Sequence, residues 1–163
     1  MTLTYDSVHV DICKIQLAET LKSGDTLNIT TPFHVKIPKS FSRLGHVKQS
    51  YQITQWYPKP AVYDAKGWHP IPYLDQGEFY SEYGMYDVKI TLPKNYVVGA
   101  TGDLQNQDEQ KWLNEKAAET AKIETFEKDT DFPESSKEMK TLHYKQQNVH
   151  DFALFADKRF HVL

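Results

Sequence analysis

Apolar and polar residues alternate with period two over much of the chain, the pattern of half-buried strands. Residues 5–18 alternate and are rich in β-branched side chains, which predicts a strand. Ser23-Gly24-Asp25 marks a turn. Residues 26–37 (TLNITTPFHVKI) resume strand character, with Pro32 at a bulge or an edge. Pro38 to Gly45 reads as a loop. Residues 47–57 (VKQSYQITQWY) predict another strand, ending at Pro58, which cannot donate to a ladder. In such a strand Tyr51, Ile53, Gln55 and Tyr57 share one side, and Gln52, Thr54 and Trp56 the other. Gln55 then lies at a strand end, close to the 67–77 loop.

Residues 58–78 hold four of the eight prolines together with Gly67 and Gly77, so they predict a long ordered loop. Its aromatics (Tyr63, Trp68, Tyr73) imply that it packs and is not a disordered linker. Residues 79–92 (FYSEYGMYDVKITL) and 96–101 predict two strands, joined by a hairpin-like turn at Leu92-Pro93-Lys94-Asn95. From 108 to 122 the sequence favours a helix, with Asp108 as its N-cap and Trp112, Leu113 and Ala117 on its inner face. Strand character returns at 139–147 and 150–162. Seven or eight strands and one helical excursion predict a mostly β fold, a β-sandwich or saddle-like set of antiparallel sheets with one inserted surface helix, in a single domain over 1–163.

Charge narrows the function classes. The net charge is −3, which disfavours a general grip on nucleic acid. Residues 103–140 carry 11 acids and 6 bases, a local −5, so the rest of the chain is near +2. That segment reads as a solvated helical insertion. No apolar run approaches the roughly 20 residues of a membrane helix. Cys13 is the single cysteine, which excludes an internal disulfide, and its strand setting suits a buried small side chain.

A zinc-hydrolase helix needs two histidines four apart with a glutamate between them. His9, His34, His46, His69, His143, His150 and His161 contain no such pair. There is no Gly-x-Ser-x-Gly elbow and no phosphate-binding glycine loop. Asp64, Asp75, Glu78, Glu82 and Asp87 flank the aromatic loop and could pair as glycosidase carboxylates, given the right separation. The densest pattern is Thr54 to Tyr86, where polar groups alternate with aromatics and prolines. It can build a rigid shelf covering one wall of a cleft, or simply a tight bend packed by aromatics.

This run resembles the aminopeptidase N-like family of zinc metallopeptidases (gluzincins), especially its bacterial members. Gln55-Trp56-Tyr57-Pro58 with Tyr63-Asp64 looks like the Thr-Gln-x-Glu-x-x-x-Ala-Arg segment of the family's N-terminal domain. Gly67-Trp68-His69 to Tyr86-Asp87-Val88 looks like its continuation. Asn148-Val149-His150-Asp151-Phe152-Ala153 resembles the domain's last strand. The resemblance implies a non-catalytic N-terminal domain that shapes the substrate cleft and packs on a thermolysin-like domain, absent from this chain, in which the catalytic zinc is expected. The implied partners are that domain and a peptide substrate. In the family a glutamine and an acid two positions later bind the substrate's free amine. Gln55 matches the first position; the second holds Tyr57, which offers an oxygen or a π face but no fixed negative charge. No catalytic or metal-ligating residue is expected within the chain. The compartment is open, with a periplasmic or secreted parent in keeping with the resemblance. Two other readings use the same residues: a stand-alone ligand- or carbohydrate-binding β-sandwich, and a self-sufficient hydrolase working through the acids of the aromatic loop.

Overall fold

The computed structural model describes residues 1–74, 76–77, 80–123, 125 and 131–163. The fold is mostly β, with antiparallel sheets and a single helix among the described residues. The chain divides into two compact units, 1–34 with 57–82, and 35–56 with 83–163.

The first unit holds two hairpins. Strands β1 (Thr2–Tyr5) and β2 (Cys13–Gln16) pair antiparallel, with Leu3 opposite Ile15 and Tyr5 opposite Cys13. The single strand expected over 5–18 is therefore broken at its start. The cause is Asp6, whose Oδ1 accepts from the main-chain N–H of Val8 (2.8 Å) and of His9 (2.7 Å). An aspartate that bonds its own following backbone competes with a ladder and makes a turn. Cys13, expected to be buried, is exposed. Residues 26–37, also expected to be extended in a sheet, form no strand. Within the predicted long loop, β5 (Val62–Asp64) and β6 (Gly67–His69) form a short hairpin around buried Val62.

The second unit contains two sheets. Strands β3 (Gly45–Val47) and β4 (Ser50–Ile53) form a hairpin turning at Lys48, which has φ +50°. They join β8 (Val97–Ala100) and β11 (Leu154–Asp157) in the order β3-β4-β11-β8. The other sheet has the order β7-β10-β9, from β7 (Gly84–Pro93), β10 (Met139–Val149) and β9 (Asp103–Leu104). The expected hairpin turn at 92–95 is instead a corner, because β7 and β8 lie in different sheets. Tyr96 N donates to the Pro93 carbonyl (3.1 Å), and the chain crosses from one sheet to the other.

The core of this unit draws on both sheets. Leu142 and Tyr144 come from β10, and Val97, Val98, Leu154 and Ala156 from β8 and β11, with Phe152 fully buried between. The Tyr144 hydroxyl donates to the Val98 carbonyl (3.0 Å) and links the two layers. Burial pushes that phenol up to about 12. At the turn before β9, Gly102 has φ +94°, and a Cβ there would lie 2.6 Å from the Lys145 carbonyl oxygen. Only glycine allows the turn to pass so close to β10.

The helix α1 spans Gln107–Thr120, one residue earlier at its start and two at its end than expected. Its N-cap is Asn106, and Asp108 falls in the first turn. The Asn106 side chain is directed to β10 instead of the helix: its Nδ2 donates to the Thr141 carbonyl (3.1 Å) and its Oδ1 accepts from His143 N (2.7 Å). Trp112, Leu113 and Ala117 are half-buried, with Glu109, Lys116 and Thr120 completing one stripe at helical spacing. The stripe is not purely apolar. Lys140 of β10 pairs with Glu109 (2.5 Å), both side chains about one-tenth exposed, and lies 4.1 Å from the Trp112 ring centroid. Lys158, buried beyond β11, donates to Gln49 Oε1 and the Pro133 carbonyl, and to Ser135 Oγ at 3.3 Å. Arg159 stacks on the Phe132 ring at 3.4 Å. These contacts hold the segment that leads into β10.

Candidate functional site

The polypeptide around Gln55 is fixed on both sides. Thr54 Oγ1 donates to the Arg43 carbonyl (2.7 Å), and Trp56 Nε1 donates to the Phe152 carbonyl (3.1 Å). Earlier in the same segment, Gln52 Nε2 donates to Ser40 Oγ and to the Ser42 carbonyl, each at 2.7 Å. β4 has ended at Ile53, two residues before Gln55 and earlier than the predicted end at Pro58. Between its two tethered neighbours, Gln55 adopts φ +53° and is half-buried. A non-glycine residue in the left-handed region costs roughly 1–2 kcal/mol. The strand alternation that would have set Gln55 beside Tyr57 therefore does not reach either residue.

The boundary between the two units falls between Trp56 and Tyr57, so Gln55 belongs to the second unit and Tyr57 to the first. Tyr57 is half-buried, and the Lys59 ammonium lies 5.2 Å from its ring centroid. The π face of Tyr57 is thus already turned toward a cation of its own chain.

In the first unit the β5–β6 hairpin separates two kinds of group. Tyr63 and Trp68 are opposite one another in the ladder, with ring centroids 4.9 Å apart, and are 64% and 66% exposed. Asp64 and His69 meet at 2.8 Å, and Asp64 also accepts from Lys66 N (2.8 Å). The His69 ring packs edge-on to Tyr80, 5.4 Å between centroids. The bond from His69, and then that from Lys66, hold the Asp64 carboxyl below its usual range.

Asp87, in the second unit, accepts from Lys145 (2.9 Å) and His143 (2.6 Å). Lys145 first, then His143, lower its pKa. Of the other acids expected to flank the aromatic loop, Glu82 is exposed at the end of the first unit. Asp75 and Glu78 lie outside the described residues. Asp64 and Asp87 are each committed to a neighbouring base, and both are shifted toward the ionised form. A general acid needs the opposite shift.

The unusual backbone at Gln55 was not visible in the sequence. The tethers that impose it come from Arg43 and Phe152, the second of which lies 96 positions away along the chain from Trp56. Comparison of the chain with protein-family models, with curated proteins and with solved structures found no match.

Proposed function

We propose that this chain is the non-catalytic N-terminal domain of a zinc-dependent aminopeptidase, shaping the substrate cleft and packing on a thermolysin-like domain. The observation that carries this reading is the backbone of Gln55. The resemblance places the substrate-amine contact at this residue, and the chain holds it in a left-handed conformation between two side-chain tethers. Strain of this kind persists where the surroundings over-determine it, and it concentrates at ligand clamps. An amide oxygen can accept from an ammonium, a hydrogen bond worth about 1.5–3 kcal/mol. The described residues contain no group of three or more His, Cys, Asp or Glu that could hold a metal ion. In this reading the zinc is carried by the other domain. No helix is long and apolar enough to cross a membrane among the described residues.

The test uses the full-length enzyme. Gln55→Ala should raise KM for peptides with a free amine by about tenfold or more, from the 1.5–3 kcal/mol above, with little change in melting temperature. A lowered melting temperature with unchanged KM would assign Gln55 to the bend alone and overturn the reading.

A second reading, a stand-alone ligand- or carbohydrate-binding module, is favoured by the exposed Tyr63–Trp68 pair, which offers a stacking platform complete within one hairpin. Titration of this chain with soluble oligosaccharides, followed by tryptophan fluorescence and repeated with Trp68→Ala, separates the two. Saturable binding lost in that variant would favour the module.

A further inference from the structure

β7 is the outermost strand of its sheet, with β10 on one side and no strand on the other among the described residues. Which of its main-chain groups face outward follows from β10. His143 donates its N–H to Asn106 Oδ1, and its carbonyl accepts from Gln105 N (2.8 Å), both on the β9 side. The Thr141 carbonyl accepts from Asn106 on that side as well. Main-chain groups alternate along a strand, so Lys140, Leu142, Tyr144 and Gln146 turn theirs toward β7. They register with Leu92, Ile90, Val88 and Tyr86. The alternate residues Met85, Asp87, Lys89 and Thr91 therefore direct their N–H and C=O groups outward.

We propose that this edge pairs with the same edge of a second copy, antiparallel and centred on Val88. In that register Val88 opposes the partner's Val88, Asp87 opposes the partner's Lys89, and Met85 opposes the partner's Thr91. All four outward-facing residues of each strand then fall in hydrogen-bonded pairs. Each such pair exchanges two bonds, about eight in all. The two-fold axis makes every contact twice.

Charge selects this register from its neighbours. Recentring on Asp87 sets that residue against itself, and recentring on Lys89 does the same for the lysine. Like charges directly opposite are unfavourable. A centre between two residues would oppose outward groups with inward ones. On the other face Tyr86, Val88 and Ile90 are half-buried, beside buried Leu142 and Tyr144 of β10, so the pairing continues the sheet's apolar face. Unpaired natural edges are commonly guarded by prolines, bulges, short length or charged side chains; the two charges that β7 carries, Asp87 and Lys89, are complementary in this register. β7 is 10 residues long, reaches its first proline only at Pro93, and keeps regular register with β10 from Pro93 to Tyr86.

Light scattering and sedimentation over a concentration series of this chain test the pairing. The expected result is a species of twice the 18.9 kDa chain mass that dissociates on dilution. Lys89→Asp should reduce it to a single chain with an unchanged far-UV spectrum, because Lys89 forms no ion pair within its own chain among the described residues. Lys89→Pro should do the same, since it removes an outward N–H and no in-chain ladder bond. Asp87→Lys also removes the in-chain partner of Lys145 and His143, so its far-UV spectrum is first matched to the parent's. Mixing it with Lys89→Asp should then restore a dimer, as each acid faces a lysine of the other variant, and no heterodimer between two folded variants would overturn the register. A chain that stays monomeric throughout the series overturns the proposal and leaves the edge to a strand of another polypeptide. A dimer that survives both Lys89 variants places the interface elsewhere and overturns it equally.

Discussion

The indole Nε1 of Trp56 donates to the main-chain carbonyl of Phe152 across 3.1 Å, tying the bend after β4 to a residue with no exposed surface. With the Thr54 tether on the other side, this bond sets the backbone of Gln55. Trp56→Phe keeps an aromatic ring in place and deletes the donor, so it should lower stability by about 1 kcal/mol, read as a reduced melting temperature. The left-handed backbone at 55 makes a second prediction. Gln55→Gly should be neutral or stabilising by up to about 1 kcal/mol, whereas Gln55→Val should cost about 2 kcal/mol. Equal losses for glycine and valine would contradict a strained backbone.

Glu109 and Lys140 form an ion pair with little access to water, against the face of Trp112. Burial is the first influence on Lys140 and lowers its pKa, while Glu109 opposes that shift. Glu109→Gln removes the carboxylate that compensates a largely buried ammonium, so it should destabilise on the order of 3 kcal/mol. Replacing both partners, Glu109→Leu with Lys140→Met, should recover most of the loss. Urea midpoints of the parent and the two variants measure this, and a single variant as stable as the parent would show the pair to be solvated.

Tyr144 predicts the alkaline limit of the fold. Its phenol is pushed up to about 12 by burial in the folded state, against the ordinary 10.0. A folded-state pKa above the unfolded one contributes stability that is present below the unfolded value and is lost as pH rises through the folded one. Stability should therefore fall between about pH 10 and 12, with the ultraviolet absorbance of the phenolate appearing together with unfolding. In Tyr144→Phe this part of the pH dependence should vanish, at a cost at neutral pH of about 1 kcal/mol for the bond to the Val98 carbonyl.

The chain by itself should show no peptidase turnover and no stoichiometric zinc. This follows from the proposed reading, in which the zinc is carried by the other domain, and from the seven histidines, which contain no pair at the helical zinc spacing. Metal analysis after dialysis and assays with aminoacyl fluorogenic substrates check this. Turnover abolished by a chelator would contradict it.

The β class, the position of the helix and its inner face were legible in the sequence, because they depend on local periodicity. Period-two alternation marks β7 and β10 directly, and Trp112, Leu113 and Ala117 follow one another within about a helical turn. The breaks were harder to read. Asp6 ends β1 through bonds to Val8 and His9, and the strand expected to continue through Gln55 stops at Ile53. Tertiary structure alone decided that β7 and β8 part into different sheets, that Asn106 caps the helix while its side chain serves β10, and that Gln55 lies in the left-handed region. Each of these depends on partners distant in the chain, such as Thr141 for Asn106 and Phe152 for Trp56. Periodicity reports which face of an element is buried; it carries no information about which distant carbonyl a side chain will find.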